Sequence, residues 1–219
     1  MVCDGVGGHA GGETASRAAV EAIAGYVTNT MQCLLAPAEA GDGTLLDALR
    51  DGARRTHELI AGRARESGER QGMATTITML VACWPALYLL QVGDSRCYRL
   101  RGDNLQQLTR DQTMAQDLVD SGVLKPEQAA RSPYAHVLSS SLGGSAWTPE
   151  VSVADLEPYD VLLLCTDGLN KHVPDELIRR RLMAMESSEQ VGRALLQDAL
   201  DAGGKDNVTV LIMRALVRS

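Results

Sequence analysis

The chain has 219 residues and a net charge of −7, and 45% of its residues are hydrophobic although only 3% are aromatic. This length suits a single domain, residues 1–219, with a large aliphatic core. The acidic balance, without a basic stripe, argues against general affinity for nucleic acid. No stretch approaches the ~18 continuous apolar residues of a membrane-spanning helix, so no membrane insertion is expected.

The cysteines are odd in number and none lies in a CxxC pair. They are Cys3, Cys33, Cys83, Cys97 and Cys165. A disulfide framework needs paired cysteines and a zinc site needs closely spaced ones, so neither is expected. Nothing in the sequence reads as a signal peptide. We therefore expect a reduced, cytoplasmic, globular protein that is a monomer.

Apolar residues at spacings of three and four predict two helices in the first part of the chain. The first helix begins near Glu13 and buries a face that includes Ala19 and Ile23. Glycines at residues 41–43 break the chain. The second helix then begins at Thr44, where a serine- or threonine-led capping box is expected.

Apolar runs bounded by turn residues predict a block of strands in the middle of the chain and three further strands in its second half. The strands are expected at residues 74–83, 86–92, 96–100, 105–108, 150–155, 160–166 and 208–217. Residues 111–144 lack strand character and contain short helical patches at 113–121 and 126–131.

Two more helices are predicted between the last strands. Pro174 is a favourable residue at the start of one helix, and Ser187 with Gln190 begins the other, which ends at Gly203-Gly204. The order of elements shows no regular β-α-β alternation. Two helices, a strand block, two helices and a closing strand favour an α+β fold in which helix pairs cover two antiparallel sheets.

Four aspartates sit beside turn-forming residues at widely separated points: Asp4, Asp94, Asp167 and Asp206. Apolar strand-like runs adjoin the last three. Carboxylates on strand ends can converge on a hard divalent cation, because Mg²⁺ and Mn²⁺ prefer oxygen ligands. Taken singly, each is also an ordinary turn aspartate. The set, with its neighbours, therefore indicates a metal site.

The residues around these aspartates form ordered motifs along nearly the whole chain. They are DGVGGHAGGETAS at 4–16, GMATT at 72–76, GDSR at 93–96, LTRDQT at 108–113, VLSSSLG at 137–143, LCTDGL at 164–169 and DNVT at 206–209. In this order they resemble the motifs of bacterial type 2C metal-dependent protein serine/threonine phosphatases. Two matches are looser, because Ala74 stands where that family usually has glycine and residues 137–143 match only as a small-residue segment.

The resemblance implies a four-layer α/β/β/α sandwich with metal ions at one edge of the sheet pair. It implies that Asp4 bridges two Mn²⁺ or Mg²⁺ ions, that the Gly5 carbonyl adds an oxygen to the second, and that Asp167 and Asp206 complete the first. Such ions activate a water for in-line attack on a phosphate. Asp94 would anchor a third, weaker ion together with Asp167; its alternative is a turn aspartate that caps the next residue or pairs with Arg96.

Histidine roles stay open in the sequence. His9 could donate a proton to the leaving alkoxide, since the pKa of histidine lies near working pH, or it could hold the glycine turn by hydrogen bonding. His57, His136 and His172 have no partner at ligand spacing, and surface or local structural roles are predicted for them. Residues 111–144 would form a flap beside the active site that selects substrates.

The resemblance implies hydrolysis of phosphoserine and phosphothreonine on proteins, opposing a cognate serine/threonine kinase. Members of that family begin with a strand hairpin that carries a phosphate-binding arginine and an acidic residue supporting the second metal. Only residues 1–3 precede Asp4 here, so either the chain is truncated or other residues fill those roles. From the sequence we expect weakened second-metal binding and phosphate capture, and a sheet edge open to pairing.

The same residues suggest three rival functions. The glycines of residues 5–12 suggest a nucleotide-binding loop, but the lysine and the serine or threonine of a P-loop are absent. A phosphoaspartate hydrolase would need a second acid two residues after Asp4, where Val6 stands. A phosphoprotein-binding or regulatory module that keeps the fold without turnover remains the alternative.

Overall fold

The computed structural model describes residues 1–6, 9–31, 42–66 and 72–216, without the side chains at 9, 10, 30, 31 and 42. Its helices are α1 (His9–Tyr26), α2 (Asp42–Glu66), α3 (Met114–Asp120), α4 (Pro126–Ala129), α5 (Asp167–Asn170), α6 (Asp175–Met183) and α7 (Ser188–Asp201). A π-helical turn, Val27–Met31, follows α1. The strands are β1 (Gly5–Val6), β2 (Ala74–Thr75), β3 (Ile77–Cys83), β4 (Ala86–Val92), β5 (Arg96–Arg101), β6 (Asn104–Gln107), β7 (Glu150–Asp155), β8 (Val161–Cys165) and β9 (Val210–Arg214).

The strands pair antiparallel in every sheet that the described residues form. β1 and β2 make a short ribbon, β3, β4 and β7 make one sheet, and β6, β5, β8 and β9 make the other in that order. The register of the first sheet places Leu90 opposite Met79 on one side and Val151 on the other. The register of the second places Leu163 between Tyr98 and Ile212.

Alternation along β4 shows how the first sheet is covered. Tyr88 and Leu90 are buried in a cluster with residues of α1 and α2, such as Ile23. Leu87 and Leu89 point to the other face and are buried between the two sheets. Because both faces of the strand are buried, its sequence is apolar throughout except at the buried Gln91.

The second sheet shows the same division. Val161 and Leu163 of β8 are buried with residues of α6 and α7, such as Ile178 and Leu195. Leu162, between them in sequence, is buried in the cluster between the sheets. The order of layers is therefore helix pair, sheet, sheet, helix pair. This confirms the predicted α+β sandwich.

Some predicted boundaries differ from the structure for local reasons. The first helix begins at His9, before the predicted Glu13, and brings Gly12 against Gly5: a Cβ at Gly5 would lie 2.2 Å from the Gly12 carbonyl oxygen. The strand predicted at 74–83 is interrupted at Thr76, whose amide bonds to the Asp4 carbonyl at 2.8 Å. The last strand, predicted at 208–217, is shorter, and its end at residue 217 lies outside the described residues.

The α7 start follows the prediction closely. Ser187 is the N-cap, and its hydroxyl oxygen accepts from the Gln190 amide at 3.1 Å. The Gln190 side chain reaches back to accept from the Glu186 amide at 3.1 Å. Such caps stabilise a helix by about 1 kcal/mol, because they satisfy amides that have no partner within the helix.

The first residues continue the edge of the β3 sheet. Val2 exchanges two backbone hydrogen bonds with Thr78 of β3, at 2.9 and 3.0 Å. Val2 is buried at this position.

Among the residues that the structure describes, no helix has both the length and the apolar character that crossing a lipid bilayer requires.

Gly143 is expected to be intolerant of a side chain. Its φ is +82°, and a Cβ would lie 2.4 Å from Ile60 Cγ2 and 2.8 Å from the Met73 carbonyl oxygen. Gly143→Ala should therefore lower the free energy of unfolding by about 1–3 kcal/mol, measured by urea denaturation. Gly62→Ala on α2 is the control, because nothing lies within 4 Å of a Cβ at that site. An equal loss of unfolding free energy in both variants would contradict the requirement for glycine at residue 143.

His57 gives the fold a specific pH dependence. Its Nδ1 accepts from the Gly143 amide at 3.1 Å, and its ring stacks on Trp147 with centroids 4.5 Å apart. Burial lowers the pKa of His57. The contact therefore stabilises the fold above the unfolded pKa of about 6.5 and is lost as the pH falls through the lower folded value.

The test compares the Tm of the wild type with that of His57→Phe, which keeps an aromatic ring but cannot accept the hydrogen bond or titrate. The wild type should be more stable at about pH 7.5, and its advantage should shrink at about pH 5. An advantage of the same size at both pH values would contradict the role assigned to the neutral imidazole.

Candidate metal and phosphate site

Two threonines fix the main chain of Asp4. The Asp4 amide donates to Thr76 Oγ1 at 3.0 Å, and the Asp4 carbonyl accepts from the Thr76 amide and from Thr75 Oγ1, each at 2.8 Å. These bonds occupy the backbone groups of Asp4 and leave its carboxylate free of them. The GMATT segment thus serves as the support of the first aspartate.

The second aspartate lies in the tight turn between β4 and β5. Gly93 in this turn has φ +102°, and a Cβ there would lie 2.5 Å from Thr76 Cγ2, so the turn requires glycine. Thr76 Oγ1 lies 2.7 Å from Ser95 Oγ. This hydroxyl pair joins the support of Asp4 to the turn that carries Asp94.

Arg96, the last residue of the GDSR motif, is committed to a structural ion pair. Its guanidinium bonds both Asp111 oxygens, with Nε to Oδ1 at 2.8 Å and Nη2 to Oδ2 at 2.6 Å. Its Nη1 donates to the Tyr98 hydroxyl at 2.7 Å. The pairing joins β5 to the start of the 111–144 segment. The alternative pairing of Arg96 with Asp94 is not among the contacts of the described residues.

The last two aspartate motifs are held against each other. Thr166 Oγ1 donates to the Asn207 carbonyl at 3.2 Å and accepts from the Thr209 amide at 3.0 Å. A Cβ at Gly168 would lie 2.3 Å from the same Asn207 carbonyl oxygen, so this close approach requires glycine. Asp167, the first residue of α5, and Asp206, just before β9, are thereby brought to one edge of the second sheet.

The four aspartates line one pocket of about 240 Å³ at the edge where the two sheets meet. Gly5, predicted to supply a carbonyl, lines the same pocket. Asp94 and Asp167 are buried, whereas Asp206 is exposed. The structure therefore brings together residues that are up to about two hundred positions apart in the chain.

The carboxylates destabilise one another as anions. Burial, a hydrogen bond with Asp167 and repulsion from the other carboxylates raise the pKa of Asp4 well above its ordinary value. Burial and repulsion from Asp167 raise the pKa of Asp94 to about 7, although Lys171 opposes the shift. A bound cation would relieve this repulsion, because opposite charge favours the ionised form.

The donor set fits a hydrated divalent ion. Asp167 Oδ1 is buried and has no hydrogen-bond partner in the described part of the chain, which leaves it available as a ligand. No three His, Cys, Asp or Glu side chains within the described ranges form a ready-made site for one ion. Mg²⁺ and Mn²⁺ fit such an open arrangement, because they are bound through one or two carboxylates and keep several waters.

The pocket opens into a larger cleft of about 670 Å³, which Asp94, Asp167 and Asp206 also line. Its other wall consists of residues of the predicted flap, including Thr113 and Pro126. Thr113 and Leu138, near the two ends of the flap, form a β-bridge with each other, and a second bridge joins Leu142 to Thr75 of β2. The helical patches predicted within it are the observed α3 and α4.

His136 lies at the candidate site, although a surface or local structural role is predicted for it from the sequence. It lines both the aspartate pocket and the cleft. His172 lines the cleft with its Nδ1 at 2.9 Å from the Gly168 carbonyl. His57 lies in the helix α2 and has the structural role described above. Only the position of His136 in the flap, and no spacing in the sequence, could have pointed to it.

His9 is the first residue of α1, and its side chain is outside the described residues, as are Gly7 and Gly8. The prediction that His9 donates a proton therefore stays a prediction. Two lysines contribute positive charge to the cleft. Lys171 forms an ion pair with Asp167, and Lys205 lies beside Asp206.

The fold is shared with bacterial serine/threonine phosphatases of known structure. A crystal structure of the Mycobacterium tuberculosis serine/threonine phosphatase PstP/Ppp matches with a TM-score of 0.86 and 34% identity, over 99% of this chain and 87% of that one. A crystal structure of the PstP catalytic domain in complex with two manganese ions matches with a TM-score of 0.81 and 33% identity, over 97% and 86%.

The sequence comparison agrees. The chain belongs to the protein phosphatase 2C family, whose model matches residues 1–202. The serine/threonine protein phosphatase PstP of Mycobacterium tuberculosis is 37% identical over 211 residues, which are 96% of this chain and 39% of that protein. The chain thus spans about two fifths of the length of this curated relative.

Metal binding should be visible as a stability change. Adding Mn²⁺ to metal-free protein is expected to raise its Tm, because an ion that binds only the folded state stabilises it, by about 2.7 kcal/mol at a hundredfold excess over Kd. Asp4→Asn and Asp167→Asn should abolish the shift. Asp103→Asn, in the exposed β5–β6 turn, is the control and should keep the Mn²⁺-induced rise in Tm. If Asp4→Asn also kept the full rise, Asp4 would not be a metal ligand.

Proposed function

We propose that this chain is a metal-dependent protein phosphatase that hydrolyses phosphoserine and phosphothreonine on proteins. The observation that carries the proposal is the pocket at the sheet edge, where Asp4, Asp94, Asp167 and Asp206 meet beside an open cleft. The likeness to a manganese-bound phosphatase supports the same chemistry. The physiological opponent is a serine/threonine kinase, and the substrates are phosphorylated proteins.

Each predicted ligand has a separate role at the metal centre. Asp4 and the Gly5 carbonyl would hold two ions between them, and Asp167 and Asp206 would complete the first site. When bound, the ion pair supplies an activated water and neutralises phosphate charge. No protein nucleophile is required. The buried thiols agree with this, because burial raises the pKa of both Cys97 and Cys165 to about 12 and leaves them unreactive near neutral pH.

The leaving alkoxide needs a proton, and two imidazoles are candidates to supply it. His9 is a candidate because its sequence position is among the glycines that follow Asp4. His136 reaches the same pocket from the flap. A general acid contributes about a hundredfold to ten-thousandfold in rate, so the loss on substitution separates a donor from a bystander. We propose His9 as the donor and the flap as the element that selects substrates.

A third, weaker cation site is proposed at Asp94 and Asp167, and Mn²⁺ or Mg²⁺ would serve in the cell. A cytoplasmic monomer is proposed from the sequence. Cys3, Cys83, Cys97 and Cys165 are free thiols, which agrees with a reducing location. The alternative function is a module that binds phosphoproteins without turnover.

The deciding experiment measures hydrolysis of p-nitrophenyl phosphate and of a phosphothreonine peptide, with Mn²⁺ added or chelated. Turnover is expected only with Mn²⁺. Asp4→Asn and Asp167→Asn should lose at least about a hundredfold in kcat/KM, because the ions that stabilise the transition state are no longer held. Asp103→Asn should match the wild type.

The outcomes separate the two functions. Retention of the phosphopeptide without hydrolysis, with and without Mn²⁺, would favour the binding module. Turnover that survives in Asp167→Asn would remove the metal pair from the mechanism. Within the same assay, an unchanged rate for His9→Gln beside a large loss for His136→Gln would transfer the proton-donor role to the flap.

A further inference from the structure

Lys171 places a fixed positive charge among the carboxylates of the site. It is the C-cap residue of α5, one helical turn after Asp167, and its ammonium forms an ion pair with Asp167 Oδ2. The spacing of four residues on a helix brings the two side chains to the same face. Lys171 is only partly exposed, with 28% of its side chain accessible.

The two oxygens of Asp167 face different partners. Oδ2 bonds the Lys171 ammonium, whereas Oδ1 is buried without a hydrogen-bond partner among the described residues. Asp167 Oδ1 is therefore available to the two proposed metal ions, whereas Asp167 Oδ2 is already paired with the Lys171 ammonium.

Asp94 lines the same cleft as Asp167 and Lys171. Burial would lower the pKa of Lys171, but Asp167, Asp94 and Asp206 outweigh it and raise the pKa. Asp94 is buried, and within the described part of the chain its carboxylate bonds no other side chain. The ammonium thus lies in the field of the same two carboxylates that were predicted to hold a third ion.

The composition of the chain makes this lysine unusual. Of its 21 basic residues, 18 are arginine and three are lysine, and two of the three lysines, Lys171 and Lys205, line the cleft. An ammonium is a compact point charge comparable to a metal ion, whereas a planar guanidinium is wider and binds through a fixed fork. The side chain at this place is the type that can stand in for an ion.

We propose that the Lys171 ammonium occupies the third cation position between Asp94 and Asp167, so that a third metal ion binds only by displacing it. Lys171 is then a tethered competitor that sets how weak the third site is. The inference rests on the proposed function, because it assumes that the first two ions bind at Asp4, Asp167 and Asp206.

The test counts bound Mn²⁺ and measures the affinity of each ion by equilibrium dialysis and titration calorimetry. Lys171→Met keeps the length of the side chain and removes its charge. In this variant the weakest ion should bind more tightly by a factor on the order of ten to a hundred, since a neighbouring positive charge has been removed. Lys171→Arg keeps the positive charge on a wider head group, so the weakest ion should bind less tightly than in Lys171→Met.

Two further variants locate the effect. Lys205→Met removes the other cleft lysine and should leave the weakest ion unchanged. Lys171→Met combined with Asp94→Asn should lose the tightened ion, because one of its two carboxylates is gone. The two tighter ions should persist in every single variant at Lys171 and Lys205.

Each result decides the question. A weakest-ion affinity in Lys171→Met that equals or falls below that of the wild type overturns the competitor role, while two tight ions in the same titration leave the proposed function standing. Equal tightening in Lys205→Met would reduce the effect to general cleft charge and overturn the specific position. Failure of the wild type to bind any Mn²⁺ would overturn the metal centre and this inference together.

Discussion

Repulsion between carboxylates at one sheet edge is the constraint on which this structure depends. Placing anionic groups together in a partly buried pocket is unfavourable unless a cation or a proton neutralises them. The pKa of both Asp4 and Asp94 is raised, which reflects that cost directly. A fold that keeps such an arrangement must hold each aspartate by bonds that do not involve its carboxylate.

The scaffold of the site is built largely from hydroxyls and glycines. Thr75 and Thr76 hold the main chain of Asp4, and Thr166 joins the last two motifs. Glycines allow close backbone approach where a Cβ would collide, as at Gly93 and Gly168. The residues that surround the aspartates in the motifs are therefore explained by geometry, and the chemistry is left to the carboxylates.

Much of the fold could be predicted from the sequence because periodicity reports burial. The strand at 86–92 and the strand at 150–155 have the predicted bounds. The first is a largely apolar segment that ends at Gly93, and the second begins with alternating polar and apolar residues. The start of α1 could not be placed, because it depends on the contact between Gly5 and Gly12, which no local pattern encodes. The break at Thr76 has the same origin, a long-range bond to Asp4.

The site was predictable only in part. Four aspartates in turn motifs could be found from the sequence, and the structure places them in one pocket, although their roles as ligands stay predictions. His136 was missed, because its approach to the pocket is set by how the flap folds back. Lys171 gave no signal, since a single lysine after a short motif is ordinary until its helix places it beside Asp167.

The position of the pocket between the sheets has a mechanical consequence. Asp4 is held through β2 and the first sheet, whereas Asp167 and Asp206 are carried by the second, and few fully buried residues pack between the two, Leu87 and Leu162 among them. An ion shared by these aspartates would act as a cross-link from layer to layer. The affinity for that ion would then depend on how tightly the two sheets pack, even far from the metal. A substitution that loosens the packing between the sheets would first lower the metal affinity.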